Sequence, residues 1–304
     1  MIRSATFVAL LIFCLTPWCS PPIALTLGLV LALTIEHPFR TSNITKLLLQ
    51  VSVVGLGFGM NLQRVVEAGR AGILFTIATI LGTLFLGYAI GRAMRISRGT
   101  AHLISSGTAI CGGSAIAAVG PVIGATDEEM SVSLGTVFTL NAIALFAFPA
   151  IGAALHLTQT QFGVWAAIAI HDTSSVVGAA SSYGPEALQI ATTVKLARAL
   201  WIVPLTIGTA FAFHRKSTRI AIPWFILFFL VAAMIRTYLP EPAFAWDFLV
   251  RVARIGLTVT LFLIGASLSR RSLAAVGVRP LILGIVLWIL ISAAGLWGVL
   301  ATLA

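Results

Sequence analysis

The chain has little charge. Only 9% of its 304 residues are Asp, Glu, Lys or Arg, against 59% hydrophobic. A soluble domain keeps about a quarter of its residues charged, so the composition excludes one. Acidic residues are scarcer still, nine against 19 Lys and Arg, for a net charge of +10. A basic excess can serve nucleic acid. Here the basic residues mostly punctuate apolar runs, where they orient a chain in a bilayer instead. Cysteine is nearly absent: Cys14, Cys19 and Cys111 have no metal-ligand spacing and read as reduced, buried thiols.

Several signatures are missing as well. There is no Walker loop, so direct use of ATP is not expected. Neither an HExxH motif nor a metal-ligand cluster is present, and the pair His171–Asp172 has no nucleophile beside it. The glycines of residues 55–59, GLGFG, lack the strand–turn–helix context of a nucleotide fingerprint. The expectation is a non-enzyme without cofactor or metal.

What is present is a series of apolar runs, each long enough to cross roughly 30 Å of hydrocarbon. About eleven segments are expected, near 5–18, 23–38, 45–60, 70–91, 101–121, 130–155, 162–182, 187–212, 220–237, 249–268 and 279–302. The fold class is therefore all-α, a single polytopic membrane domain over 1–304. Residues 1–22 read as a first transmembrane helix rather than a signal peptide, because no small-x-small cleavage site follows and another apolar run begins at once. The Lys/Arg bias puts the N-terminus inside, in the cytoplasm, and the C-terminus in the periplasm of a bacterial inner membrane. In that topology Arg92, Arg95 and Arg98 lie inside, and Asp127, Glu128 and Glu129 outside. Trp165, Trp201, Trp224, Trp246 and Trp288 read as interfacial anchors.

Weak internal repeats cover about 45–121 and 162–302. Residues 59–64, GMNLQR, resemble 265–270, GASLSR, and leave the bilayer on opposite sides, the mark of inverted repeats. Residues 110–124 loosely parallel 170–184. That match gives both copies one orientation, so either a re-entrant segment alters the count or the likeness is compositional.

The segment 107–121, GTAICGGSAIAAVGP, holds four glycines and a proline. In lipid a helix break is tolerated only where it is buried in protein or lines a polar cavity. A break at 110–114 would free amides for an anion and carbonyls for a cation. Gly112 and Gly113 would supply the backbone freedom, and Thr108 and Ser114 hydroxyls. Small residues for close helix packing are the plainer alternative. The polar run His171–Ser175, with Ser174 inside it, cannot face lipid. Asp172 reads either as a proton or cation carrier or as the fixed partner of a basic group. His171 reads either as a titrating group or as a structural one. Lys195 and Arg198, three apart, share a helical face and suit a carboxylate or oxyanion. A salt bridge from Lys195 to Asp172 is the alternative. Asn141 is an amide within an apolar helix, placed to hydrogen-bond a break or pin two helices.

These strings carry a family resemblance. VGLGFGMNL at 54–62, SGTAICGGSAIAA at 106–118, HDTSSVVGAA at 171–180 and TVKLAR at 193–198 together resemble the YeiH-type family of bacterial inner-membrane proteins. The likeness runs over about 20–302. That family is often labelled as sulfate exporters, and is grouped distantly with cation/proton antiporters and bile-acid symporters. The resemblance implies inverted repeats and crossed discontinuous helices. The expected function is secondary transport of a small anion, with a proton or sodium ion as coupling partner. A cation/proton antiporter, or a channel without gradient coupling, is the alternative. Membrane lipid is a further partner, a homodimer is allowed, and nucleic acid is not expected.

Overall fold

A computed structural model describes residues 2–19, 21–34, 42–59, 63, 73–213, 224–267 and 277–303. Every regular element among them is a helix. Asn61 and the greater part of the paired strings 59–64 and 265–270 lie outside the described residues. The helices group into two compact units, residues 1–66 with 223–271, and residues 67–222 with 272–304.

The first unit contains α1 (Ile2–Phe13), α2 (Pro21–Thr34), α3 (Ser42–Gly57), α12 (Trp224–Tyr238) and α13 (Ala243–Ser267). Helix α13 packs on α2 and α3, and α12 packs on α3. The α2–α13 approach is close enough that a Cβ on Gly28 would lie 2.1 Å from the Phe262 carbonyl oxygen. Only a residue without a side chain fits there. Phe7, Cys14, Cys19, Leu31 and Phe262 form the adjoining core. Cys14, Cys19 and Cys111 are all buried thiols rather than disulfides, and Cys19 Sγ lies 3.6 Å from Cys14 Sγ.

The second unit contains α4 (Ile73–Ala93), α5 (Arg98–Ala109), α6 (Gly113–Ile123), α7 (Asp127–Ala154), α8 (Gln159–Ala169), α9 (Thr173–Tyr183), α10 (Pro185–Ala199), α11 (Ile202–Ala212) and α14 (Val278–Thr302). Among the described residues four helices are long and apolar enough to cross a membrane: Leu74–Ala93, Asp127–Ala154, Pro185–Ala212 and Val278–Thr302. The third runs through α10 and α11. Among the described residues these four stand against the eleven crossings expected from hydropathy.

Two of the expected crossings, 101–121 and 162–182, have a specific physical reason for failing. Each is broken in half, at 110–112 and at 170–172, and each doubles back on itself. At the open end of the first, Ser97 Oγ donates to Glu129 Oε1 at 2.6 Å. At the open end of the second, Tyr183 Oη donates to the Leu157 carbonyl at 2.6 Å. The Phe162 and Tyr183 rings stack there at 3.8 Å. Residues 98–123 and 159–183 are thus two helical hairpins with 12- and 11-residue first arms. Such an arm rises only about 16–18 Å, roughly half the hydrocarbon thickness.

The hairpins also share an internal layout. Each tip is followed by an 11-residue helix, Gly113–Ile123 or Thr173–Tyr183, closed by a glycine at 124 or 184. Capping boxes start the helices that enter and leave this region. Thr126 with Glu129 begins α7, and Thr158 with Gln161 begins α8.

The first hairpin returns to its own side, which corrects the expected topology. The Ser97–Glu129 bond puts Asp127, Glu128 and Glu129 on the face that carries Arg92, Arg95 and Arg98. Arg98 and α11 meet on that face too, the guanidinium lying 4.6 Å from the Phe213 ring centre. In an otherwise cysteine-free chain, cysteines replacing Arg98 and Asp127 are expected to react with an impermeant maleimide from one side of a vesicle. Cysteines replacing Gln159 and Glu186 are expected to react from the other. Positions 98 and 127 labelling from opposite sides would show that 98–123 crosses after all.

Two tryptophans are also internal rather than interfacial. Trp165 is 3% exposed, and its Nε1 donates to the Ser292 carbonyl at 2.9 Å. Trp288 Nε1 donates to the Ala169 carbonyl at 3.1 Å. Both fasten α8 to α14.

Candidate functional site

A broken helix exposes the carbonyls of its last turn and the amides of the next first turn. The two hairpins bring both kinds of end together at one place. Their first arms end in carbonyls that need donors, and a single helix supplies most of them. Lys195 of α10 is fully buried. Its Nζ donates to Ile110 O at 2.9 Å, to Ile170 O at 2.7 Å and to Ala167 O at 3.2 Å. Three ammonium N–H groups thus meet three carbonyls, drawn from both tips. One turn on, Arg198 donates to Ala109 O through Nε at 2.9 Å and Nη2 at 2.5 Å. Its Nη1 donates to Thr79 Oγ1 of α4 at 3.1 Å. Both cations sit at the negative ends of α5 and α8, where the helix dipoles favour positive charge.

The second arms begin from the same tips with opposite polarity. Asp172 caps α9, its Oδ2 accepting from Ser175 N at 3.2 Å and from the hydroxyls of Ser174 and Ser175. Helix α6 has no such cap, because its N-cap is Gly112. Gly112 has φ +60° and ψ −123°, which favours glycine strongly. A Cβ there would lie 3.2 Å from Val137 Cγ1 and 3.5 Å from the His171 carbonyl group. The first tip therefore passes directly beside the second. Asn141, midway along α7, pins the second tip: its Oδ1 accepts from His171 N at 3.2 Å.

Most of the residues singled out in the sequence converge here. Gly112, His171, Asn141 and Lys195 meet around the tips, with Arg198 one turn away and Asp172 and Ser174 on the α9 cap. Ser114 is exposed beside Gly113 at the open end of α6. Thr108 is buried, and its hydroxyl has no partner. The salt bridge between Lys195 and Asp172 is not formed: Lys195 is taken by carbonyls and Asp172 by its cap. The structure adds Trp288, which donates to the Ala169 carbonyl at the end of α8, and Thr79, which accepts from Arg198. It also adds the buried, unpartnered hydroxyls of Ser106 and Ser133. Ser133 stands two turns before Asn141 on α7, a polar position that an i, i+4, i+8 search would have found. Trp288 carried no such signal. Among the described residues no group of three His, Cys, Asp or Glu is placed to hold a metal ion. Elsewhere in the unit an apolar cleft of about 280 Å³ lies between α4, α5 and α11. There His102 Nε2 meets Thr209 Oγ1 at 3.0 Å.

Helices of spanning length, with a polar crossing of hairpin tips buried among them, define a multi-pass helical membrane protein. The chain belongs to the UPF0324 family of membrane proteins. A family model described as conserved hypothetical protein 698 matches residues 6–284. A UPF0324 membrane protein of Bacteroides thetaiotaomicron is 58% identical over 282 residues, covering 90% of this chain and 84% of its own. One from Porphyromonas gingivalis is 57% identical over 287 residues, covering 92% and 87%. One from Bdellovibrio bacteriovorus is 49% identical over 307 residues, covering 98% and 94%. No solved structure matches the chain.

Proposed function

We propose that this protein is a secondary transporter that moves a small anion across the bacterial inner membrane, coupled to an ion gradient. The observation that carries the reading is the asymmetry of the two tips. Both carbonyl ends are neutralised by Lys195 and Arg198, and the α9 amide end by Asp172. The amide end of α6 begins at Gly112, which has no side chain to cap it, and only the buried Cys111 thiol lies against its first turn, at Ala115. An uncapped helix N-terminus attracts anions, and Ser114 is exposed beside it. The anion sits on that end, with Asn141 and Thr108 as neutral donors and Ser174 across the crossing. Lys195 and Arg198 hold the site positive from behind. His171 and Asp172 couple the gradient. Sulfate, sulfite, a sulfonate and a small carboxylate all fit such donors.

The open ends of the two hairpins lie at opposite ends of α7, with Ser97 at Glu129 and Phe162 against Gly152, which supports reading them as inverted copies with the positively charged connectors in the cytoplasm. In this reading the re-entrant alternative accounts for the shared orientation of 110–124 and 170–184, because a hairpin returns to its starting side.

Counterflow in liposomes tests the proposal. Vesicles preloaded with unlabelled sulfate, sulfite or acetate are expected to accumulate the labelled anion. The competing reading is a cation/proton antiporter, favoured by the half-buried Asp172 carboxylate among the Ser174 and Ser175 hydroxyls. Sodium- or potassium-driven proton movement without any anion flux would select that reading instead.

A further inference from the structure

Cys14 and Cys19 are the two cysteines of the first unit, and the local fold brings them together. Cys14 follows α1 directly, its N–H still bonded to the Leu10 carbonyl at 3.0 Å. Two tight reversals come next. Thr16 N–H donates to the Phe13 carbonyl at 3.0 Å, and Cys19 N–H to the Thr16 carbonyl at 3.3 Å. Thr16 Oγ1 reinforces the first, reaching the same Phe13 carbonyl at 2.7 Å. The chain thereby returns Cys19 to the end of α1, where its thiol points at Cys14 Sγ, 3.6 Å away.

Both side chains are buried, Cys14 at 1% and Cys19 at 6% exposure, in the core that holds Phe7 and Phe262. The turn between them is open to its surroundings: Leu15 and Trp18 are 53% and 80% exposed. A disulfide is about 2.05 Å long, so the sulfurs need to close by about 1.6 Å, on the scale of a side-chain rotation.

The charge pattern supplies the compartment. Residues 4–35 carry no charge, whereas Arg3 precedes them and Arg40 and Lys46 follow. Basic residues at both feet of a helical hairpin keep the feet in the cytoplasm and send the turn across. The turn then faces the periplasm, where thiols are oxidised.

We infer that Cys14 and Cys19 are a modification site, oxidised to an intramolecular disulfide by a periplasmic oxidant that carries a disulfide of its own. The Cys19 thiol loses its proton, and its sulfur attacks the oxidant's disulfide and releases one thiolate. The Cys14 thiol loses its proton in turn, and its sulfur attacks Cys19 Sγ and releases the second. Two electrons pass to the oxidant, the two protons end on its thiols, and one S–S bond replaces another. The exchange precedes packing of the turn, and burial then shields the bond from reductants. Helix α1 has 12 residues and rises about 18 Å, well short of the hydrocarbon thickness. The bond ties this short terminal helix to the start of α2.

The competing explanation is that two small apolar residues merely pack together. Thiol counting in the wild-type protein separates the two. Cells are quenched in acid, and the protein is alkylated in denaturant with a maleimide, before and after reduction. Of the three cysteines, Cys111 alone is expected to label before reduction, and all three after it. Residues 4–40 form one tryptic peptide that holds both Cys14 and Cys19. Without reduction it should carry no maleimide and be lighter by two hydrogens. A maleimide on either cysteine of that unreduced peptide overturns the inference. So does a disulfide-linked dimer that Cys14→Ser or Cys19→Ser abolishes.

Discussion

A Lys195→Met protein is expected to be the least stable single variant of the crossing, losing about 3 kcal/mol or more, because three buried carbonyls would each lose their donor. Methionine keeps the apolar stem but offers no hydrogen. Ile110, Ala167 and Ile170 lie on two different hairpins, so both tips lose their anchor at once. Arg198→Met should cost less, about 2 kcal/mol, since Ala109 is the one carbonyl it strands. Thermal unfolding in detergent, read against the parent, ranks the two. A Lys195→Met protein as stable as the parent, yet unable to bind anion, would mean that the ammonium serves the substrate rather than the hairpins.

Gly112→Ala carries the second large effect. A non-glycine residue at φ +60° and ψ −123° costs of order 1–3 kcal/mol in backbone strain alone. The new methyl would also press on Val137 at 3.2 Å and on the His171 backbone. The strain falls on the turn that aims the α6 amides, so counterflow should fall together with stability. Gly113→Ala is the control. Its Cβ would meet the Phe138 ring at 2.9 Å, but Phe138 is 43% exposed and can swing aside. Residue 113 lies within a helix, where alanine is favoured over glycine. Equal losses in the two variants would show that crowding, and not the conformation of Gly112, sets the effect.

The break at 110–112 was legible because few residue types other than glycine turn a chain there, and four of them crowd one apolar run. Asp172 and Lys195 stood out for a different reason: ionisable groups in hydrocarbon need partners, whatever the fold. The identity of those partners was not legible. Lys195 reaches Ile110 across 85 residues of sequence, and its acceptors are carbonyls, which every residue has. A lysine awaiting a carboxylate and a lysine awaiting a helix end look alike on paper. Hydropathy failed at the hairpins for a related cause. It counts apolar residues but does not register a reversal, and the bonds that reveal one, Ser97 to Glu129 and Tyr183 to Leu157, join residues of ordinary loop composition.

The ammonium of Lys195 has a mechanical consequence. It is a rivet through two hairpin tips. Any motion that draws one hairpin tip away from the other must break at least one of its bonds, at about 1–3 kcal/mol for each carbonyl left stranded in a dry interior. A motion that carries both tips as one rigid block breaks none. The cheapest excursion of the crossing is therefore a displacement of the whole riveted body, with each hairpin sliding against its surroundings and not against its twin.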